Sequence, residues 1–550
     1  AGPPSADQAR FTSNLATLCK DQGRYAEAEQ LFRRALAMLE KSLRPGHPDI
    51  ATSWSNLAAF YQEQGRYGEA EPLYQRALAL SQKALGPRHA DVAVRLHNLA
   101  CCHRDQGRYQ EAEKLYRQAL SILEQALGPE HARVAKTLNA WGRLYRLQGQ
   151  FAEATALCQR SLVIREKLWG PDHPDLASNL YDMASLCFDQ DRREEAQRLV
   201  DRAIAILEKS NAYPEDLFLC RQLRAKLAWR ARDKADAVAE LGQALGLAEQ
   251  LRGQGAGGDR ERAVFFEGFA AAFELMVSWQ HELGDVGQAL AAIERCRARS
   301  LVDQMATHGL DLLAGLQQGE AEQLRRRESE ARQQVASLEK QLQVLDARKD
   351  VAPQSAAAER EDLRARLAQA RREFALVYAD TRNASPAYRL AVGANRRPVT
   401  LEQLRRWAGE QNALVLEYLI GSEGGWVLVI PGSEAPRLEK LTLDERWGEP
   451  AVEPGPLTDK RLAQILVGEK GQGLLPRLRT PGRGSTSKPT TASLAALWRL
   501  LIPEAERQAL LRRKYQRMVV VPDAGLASVP FEALVIEPGE NAKYLLDVAP

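Results

Sequence analysis

One phrase returns at a fixed step through the first third of the chain. Gln-Gly-Arg-Tyr starts at Gln22, Gln64 and Gln106, and Gln-Gly-Gln-Phe starts at Gln148. The glycines Gly23, Gly65, Gly107 and Gly149 therefore stand 42 residues apart, and His47, His89, His131 and His173 keep the same step. Self-similarity at a fixed period excludes a single globular core. Each unit is one supersecondary element that buries its apolar face only against its neighbours, so the N-terminal half is a solenoid. A stack of this kind presents a long face to a partner. Binding is accordingly the first functional expectation, ahead of chemistry.

Length and charge set the remaining bounds. At 550 residues the chain exceeds one core, and two or three domains are expected. Its 75 basic and 72 acidic residues leave a net charge of +3, which gives no global reason to invoke nucleic acid or a membrane. No apolar run is long enough to span a bilayer, and the opening Ala-Gly-Pro-Pro-Ser lacks the basic and apolar regions of a signal peptide. Cys19, Cys101, Cys102, Cys158, Cys187, Cys220 and Cys296 include no C-x-x-C pair, and they read as reduced, buried thiols of a cytoplasmic protein.

Within one copy the physics is that of a helical pair. Trp54, Leu57, Ala58 and Tyr61 fall at helical spacing, Gly65 interrupts, and Tyr67, Ala70, Tyr74 and Ala77 resume the period. Ala58 and Ala70 let the two helices approach, and Gly65 suits a left-handed helix end. Gly86 and Pro87 stop the second helix, and the next begins near Ala90 and Asp91. The repeated histidines fall in the turn before each first helix. One per repeat, they lie roughly 10 Å or more apart across stacked helices, which points to capping or turn packing rather than a metal. Later copies decay. Asp191 and Asp233 stand at the expected glycine positions of a fifth and sixth pair, and Gly284 with Ala289 suggests a seventh.

These positions resemble the tetratricopeptide repeat: Trp54, Leu57, Ala58, Tyr61, Gly65, Tyr67, Ala70, Tyr74 and Ala77, over roughly residues 8 to 250. The 42-residue step, against a usual 34, is similar to the kinesin-light-chain type. In that family the first helix of each pair lines the concave face. Asn14, Asn56 and Asn98 occupy one equivalent position there. An amide that both donates and accepts suits a peptide backbone, and it equally suits a solvated or inter-repeat hydrogen bond. The fourth and fifth copies carry Ala140, beside Asn139, and Asp182 at this place.

From about Leu316 to Tyr378 the steps of Val335, Leu338, Leu342 and Leu345, then of Leu363, Leu367, Ala370, Phe374 and Val377, predict a long antiparallel helical hairpin broken near Pro353. After Pro386 the alphabet changes. Ala413–Ile420 and Trp426–Ile430 read as a hairpin of strands, and Arg437–Leu443 as a third strand. Helices over Ala492–Leu501 and Glu504–Arg512 precede a strand at Met518–Pro522, a pattern that predicts an α/β domain with a parallel sheet. Residues 470–493, rich in Gly, Pro, Ser, Thr and basic side chains, read as a flexible loop rather than a nucleic-acid site.

Val519-Val-Val-Pro-Asp-Ala-Gly-Leu-Ala-Ser-Val-Pro-Phe-Glu-Ala-Leu-Val535 resembles the opening strand and turn of the CHAT domain, a caspase- and separase-like fold that follows tetratricopeptide repeats. Ala298–Asp303, Leu414–Leu419, Trp426–Val429 and Tyr544–Asp547 resemble its flanking segments. The resemblance implies a mostly α chain: a repeat solenoid over 8–310, a helical hairpin over 311–384, and the N-terminal portion of an α/β CHAT domain over 385–550. It also implies a His-Gly step and a Cys in a Ser-Ala-Cys context downstream of Tyr544–Asp547. These 550 residues contain no histidine beyond His308 and no cysteine beyond Cys296, so no catalytic residue, cofactor site or metal site is assigned within them. The nucleophile and base of a Cys–His pair are expected beyond Pro550. The resulting expectation is the sensing portion of a bacterial, cytoplasmic caspase-like peptidase. Its repeats would bind a protein or peptide on the concave face through Asn14, Asn56 and Asn98. The catalytic remainder of the CHAT domain would be a second partner, and antiphage defence the setting. A non-enzymatic scaffold with a degenerate CHAT-like domain is the alternative.

Overall fold

The computed structural model describes residues 6–21, 25–210, 213–254, 269–307, 318–347, 400–444, 452–468 and 491–523, with shorter stretches within 362–377, 474–475 and 526–544. Most of the loop expected at 470–493, the Leu545–Asp547 stretch and His308 fall outside them. Contacts divide the chain into two compact units, Ala1–Phe266 with Glu322–Thr381, and Glu267–Ala321 with Arg382–Pro550.

The first unit opens with helix pairs: α1 (Ala6–Asp21) and α2 (Tyr25–Ser42), α3 (Pro48–Glu63) and α4 (Tyr67–Leu85), α5 (Ala90–Asp105) and α6 (Tyr109–Leu127), and α7 (Ala132–Leu147) and α8 (Phe151–Trp169). A 3₁₀ turn at Pro174–Leu176 leads into α9 (Ala177–Asp189), followed by α10 (Arg193–Ser210), α11 (Pro214–Arg230) and α12 (Lys234–Gln254). Each first helix packs on its own second helix and on the next first helix, α1 on α3, α3 on α5, α5 on α7 and α7 on α9. The recurring tyrosines and alanines supply the core: Ala58, Ala70, Tyr74, Ala100, Ala112 and Tyr116 are all buried.

The repeated phrase is explained by the turn it builds. Gly65, Gly107 and Gly149 hold φ of +69°, +75° and +73°, the left-handed conformation that closes each first helix. The arginine after the glycine then reaches back one repeat. Arg66 Nη1 lies 2.8 Å from Glu29 Oε2, and Arg108 Nη1 lies 2.9 Å from Glu71 Oε2. The histidines are N-caps. His47, His89, His131 and His173 each accept through Nδ1 the backbone N–H two residues on, at 3.1–3.2 Å, satisfying one orphan donor of the helix start. In the fifth pair Asp191 takes the left-handed place, with φ +56°. In the sixth the place belongs to Arg232, φ +67°, one residue before Asp233. The connection ahead of α11 has shifted the phase, so the expected Asp233 is displaced.

Two substitutions at this turn should move stability in opposite directions. A side chain in the left-handed region costs roughly 1–2 kcal/mol. Nothing lies within 4 Å of a Cβ added at Gly107, so Gly107→Ala should lose about 1 kcal/mol through the backbone alone. Arg232→Gly should gain about the same. Urea midpoints of the two variants check this; a common sign would contradict it.

Of the segment expected as a helical hairpin, the connection lies outside the described residues, and the described parts pack together. α15 (Gln318–Ala347) contributes Val335 and Leu338 to a buried cluster with Leu363, Leu367, Ala370 and Phe374.

The second unit holds the seventh helix pair, α13 (Ala270–Leu283) and α14 (Val286–Thr307), turned at Gly284 with φ +73°. It continues with α16 (Leu401–Glu410), β1 (Ala413–Ile420), β2 (Gly425–Pro431), β3 (Arg437–Leu443), β4 (Gly455–Pro456), α17 (Asp459–Leu466), α18 (Thr491–Leu501), α19 (Glu504–Leu511) and β5 (Arg517–Val521). A separate ribbon pairs β6 (Val535–Glu537) with β7 (Lys543–Tyr544). The larger sheet has the order β4-β3-β2-β1-β5. β1 pairs with β5 in parallel, Val415 opposite Val519, whereas β1 with β2 and β2 with β3 are antiparallel. The sheet is thus mixed: the expected hairpin of β1 and β2 is antiparallel, as a tight connection requires, and the strand after α19 joins β1 in parallel. β1 and β2 are buried along their whole length. Helices α17, α18 and α19 supply Leu462, Ile465, Trp498, Leu501 and Leu510 to the same core.

Candidate functional site: the row of first helices

The stacked first helices are stitched by side chains that reach one repeat plus one residue along the chain. Lys20 Nζ meets Glu63 at 3.0 Å, Asn56 Nδ2 donates to Ser13 Oγ at 3.2 Å, and Arg95 Nη2 donates to Thr52 Oγ1 at 2.7 Å. Gln62 Nε2 donates to Asp105 Oδ2 at 2.6 Å, and Arg146 Nη1 to Asp189 Oδ2 at 2.8 Å. The recurrence follows from near-parallel helices stacked with a one-residue slip. Of the three expected contact residues, Asn14 is exposed on α1, while Asn56 on α3 and Asn98 on α5 are half-buried. Asn56 therefore already carries one inter-repeat bond.

Below them the row becomes a buried polar network. Asn139 Nδ2 donates to Asp182 Oδ2 at 2.6 Å, Arg143 Nε donates to the same oxygen, and Asn179 donates to Asn139 Oδ1. Asp182 is 5% exposed. The expected departure of the fourth copy thus has a physical form: Asn139, beside Ala140, turns its amide toward the fifth repeat.

A groove of about 410 Å³ opens beside the fourth and fifth repeats, lined in part by Arg133, Lys136, Arg165, Trp169, Tyr213 and Asp216. Two of these break the repeat. Arg133 stands where the other copies have Asp49, Asp91 and Asp175, and Arg165 where they have Leu39, Ser81, Leu123 and Leu207. Arg165 is 9% exposed, donates Nη1 to the Asp175 carbonyl at 2.8 Å, and leaves Nε without a hydrogen-bond partner. Comparing the repeats column by column would have flagged both arginines.

In the second unit the candidate chemistry is scaffolding. Asp523 Oδ2 accepts the Ile420 N–H at 2.7 Å, tying the turn after β5 to the end of β1. Glu274 on α13 accepts the backbone N–H groups of Ser422 and Glu423, each at 3.2 Å, in the β1–β2 turn. Gly421 leaves room for it, since a Cβ there would collide with the Glu274 carboxyl. Burial raises the Glu274 carboxyl above its usual range, the charge of Asp459 adds to this, and the two N–H donors offset part of it. A raised acid holds its proton more tightly folded than unfolded. Its contribution is full below the ordinary carboxylate range and is lost as pH rises through the folded value. Relative to Glu274→Gln, wild type should therefore lose stability as pH rises above the ordinary carboxylate range. Parallel urea curves for the two proteins across that rise would refute this.

Cys19, Cys102, Cys158, Cys187 and Cys220 are buried as expected, but Cys101 and Cys296 are half-buried. Among the described residues no group of three or more His, Cys, Asp or Glu is placed to hold a metal, and no helix is long and apolar enough to cross a membrane.

Comparison with known proteins agrees with this architecture. The tetratricopeptide-repeat family model matches residues 7–58, 49–125 and 133–209, and the CHAT-domain model matches residues 491–549. Among curated proteins nothing matches. Among solved structures, BtubC (BKLC) from P. vanneervenii is 29% identical, with 38% of this chain and 83% of that one covered and a TM-score of 0.33. A putative kinesin light chain from Podosopora anserina with nearly identical TPR-like repeats is 28% identical, covering 38% and 99%, TM-score 0.32. The apo quorum sensor NprR from B. thuringiensis is 17% identical, covering 54% and 77%, TM-score 0.41. The chain carries tetratricopeptide repeats in its N-terminal half and a CHAT domain toward its C-terminal end.

Proposed function

We propose that this chain is the partner-sensing portion of a bacterial caspase-like cysteine peptidase. The repeats take a protein or peptide segment along the first helices, through Asn14, Asn56 and Asn98. Occupancy is passed on to control proteolysis by catalytic residues encoded beyond Pro550, in the cytoplasm and in defence against phage. The observation that carries the reading is the match of a CHAT domain to residues 491–549 behind the repeats. β5 within that match pairs in parallel with β1 in a sheet core, a scaffold on which a downstream dyad could be mounted. Reading the encoding gene past residue 550 tests it. A His-Gly step and a Ser-Ala-Cys segment in frame support the peptidase. Their absence leaves the alternative, a non-enzymatic protein-interaction scaffold with a degenerate CHAT-like domain.

A further inference from the structure

The third repeat holds a thiol in a setting that Cys102, Cys158, Cys187 and Cys220 do not share. Cys101 lies on α5 and is half-buried. His97, one turn earlier on the same helix, places Nε2 3.7 Å from its sulfur. Tyr116 on α6 donates its hydroxyl to the same sulfur at 3.2 Å. His97 is only 6% exposed, yet its Nδ1 has no hydrogen-bond partner. Leaving a buried polar atom unpaired costs about 1–3 kcal/mol. The ring is kept in place by the sulfur on one side and by edge-on packing against Tyr116, with centroids 5.8 Å apart. Neither residue belongs to the repeat. The other copies have Ser13, Ser55, Asn139 and Tyr181 in place of His97, and Thr17, Ala59, Arg143 and Ser185 in place of Cys101.

The surrounding charges favour an ionised sulfur. The groups that face it are His97 and Arg104 from α5, Tyr74 from α4, Tyr116 from α6 and Arg143 from α7. Arg104 also pairs with Asp105, at 2.7 Å. Burial raises both tyrosines, so they remain protonated and can donate. Burial also pushes the Cys101 thiol up, but the His97 imidazole, the Arg104 guanidinium and the Tyr116 hydroxyl outweigh it and hold the thiol well below its ordinary range. The contrast within the molecule is sharp. Burial pushes Cys158 and Cys220 up to about 12, and it raises Cys102 and Cys187 as well. The thiolate, not the thiol, is the nucleophile.

We infer that Cys101 is a site of reversible thiol modification, exchanging with low-molecular-weight disulfides. The Cys101 sulfur attacks one sulfur of the small disulfide and the S–S bond of the reagent breaks. A mixed disulfide forms on Cys101, which is oxidised. The other half of the reagent is reduced and leaves as a thiolate, taking up the proton that Cys101 gave up. An excess of small thiol runs the exchange backwards. The adduct would stand one turn from Asn98 on α5, so the modification would also alter the proposed peptide face. The site itself does not depend on that reading.

Oxidised glutathione is the probe, with the modified residue located by peptide mass spectrometry and alkylation by iodoacetamide followed in parallel. Cys101 should be modified first, at least about tenfold faster than Cys158 or Cys220, and dithiothreitol should remove the adduct. Its alkylation rate should change less than about twofold between pH 7 and pH 9, where an ordinary thiol accelerates steeply. His97→Ala should slow the reaction about tenfold near neutral pH and restore the steep profile. The wild-type pH profile decides the matter even if that variant is poorly folded. A Cys101 that stays unmodified in folded protein, reacts after Cys296, or accelerates like a free thiol overturns the assignment.

Discussion

Under the proposed reading, the 550 residues alone should cleave no peptide bond, whereas protein that also carries a His-Gly step and a Ser-Ala-Cys segment should cleave one through the cysteine of that segment. This contrast carries the largest expected effect. Nucleophilic catalysis needs a thiolate and a general acid that protonates the leaving amine. Within the chain Cys296 lies on α14 and His281 on α13, where the His281 ring packs against Trp426 with centroids 5.0 Å apart. His281 is exposed on α13 and stands against an aromatic ring rather than a thiol. The Cys101–His97 pair is the nearest thing to a dyad, but both belong to one helix of the third repeat, with no strand or turn to present a substrate. Peptidase assays with a panel of fluorogenic peptides, on chain and extended protein side by side, give the readout. Proteolysis by the chain itself that vanishes on labelling Cys296 or Cys101 would sink the account and move the chemistry into the helical half.

Replacing Asn14, Asn56 and Asn98 together by alanine should weaken partner binding at least about tenfold, equivalent to about 1.4 kcal/mol. The melting temperature should fall little. Asn14 is exposed and Asn98 half-buried, and among the described residues the bond at stake between repeats is that of Asn56 to Ser13. A single part-buried hydrogen bond contributes about 0.5–1.5 kcal/mol, spread here over a whole array. Calorimetry against the segment recovered with wild-type protein separates the two effects. Unchanged affinity in the triple variant would make these amides stitching between repeats and nothing more.

The sequence showed most clearly what repeats locally. Gly65, Gly107 and Gly149 each mark a left-handed turn, and small residues mark each close helix approach, so four helix pairs could be read off directly. The strand Arg437–Leu443 was found with its observed ends, since apolar alternation needs no distant partner. Features that depend on distant contacts were not legible. Glu274 meets Ser422 and Glu423 nearly 150 residues later, and no local pattern encodes that. The position of Arg232 was missed because the turn keeps its backbone without its glycine. The surroundings of the Cys101 sulfur depend on which side chains from α4, α6 and α7 face it, and a helical wheel of α5 alone cannot supply that.

The side-chain stitches between successive first helices also bear on how force would travel through the solenoid. Each repeat is tied mainly to its immediate neighbours, so a pull on one end would be met by one interface at a time. Stiffness need not be uniform along such a chain of springs. The turns at Gly65, Gly107 and Gly149 are relaxed, while Arg232 holds a side chain in the left-handed region at a cost of roughly 1–2 kcal/mol and Asp191 does so at a smaller one, its short polar side chain tolerating that conformation better. Under tension the fifth and sixth pairs should yield before the second to fourth, giving the array a compliant stretch next to a rigid one.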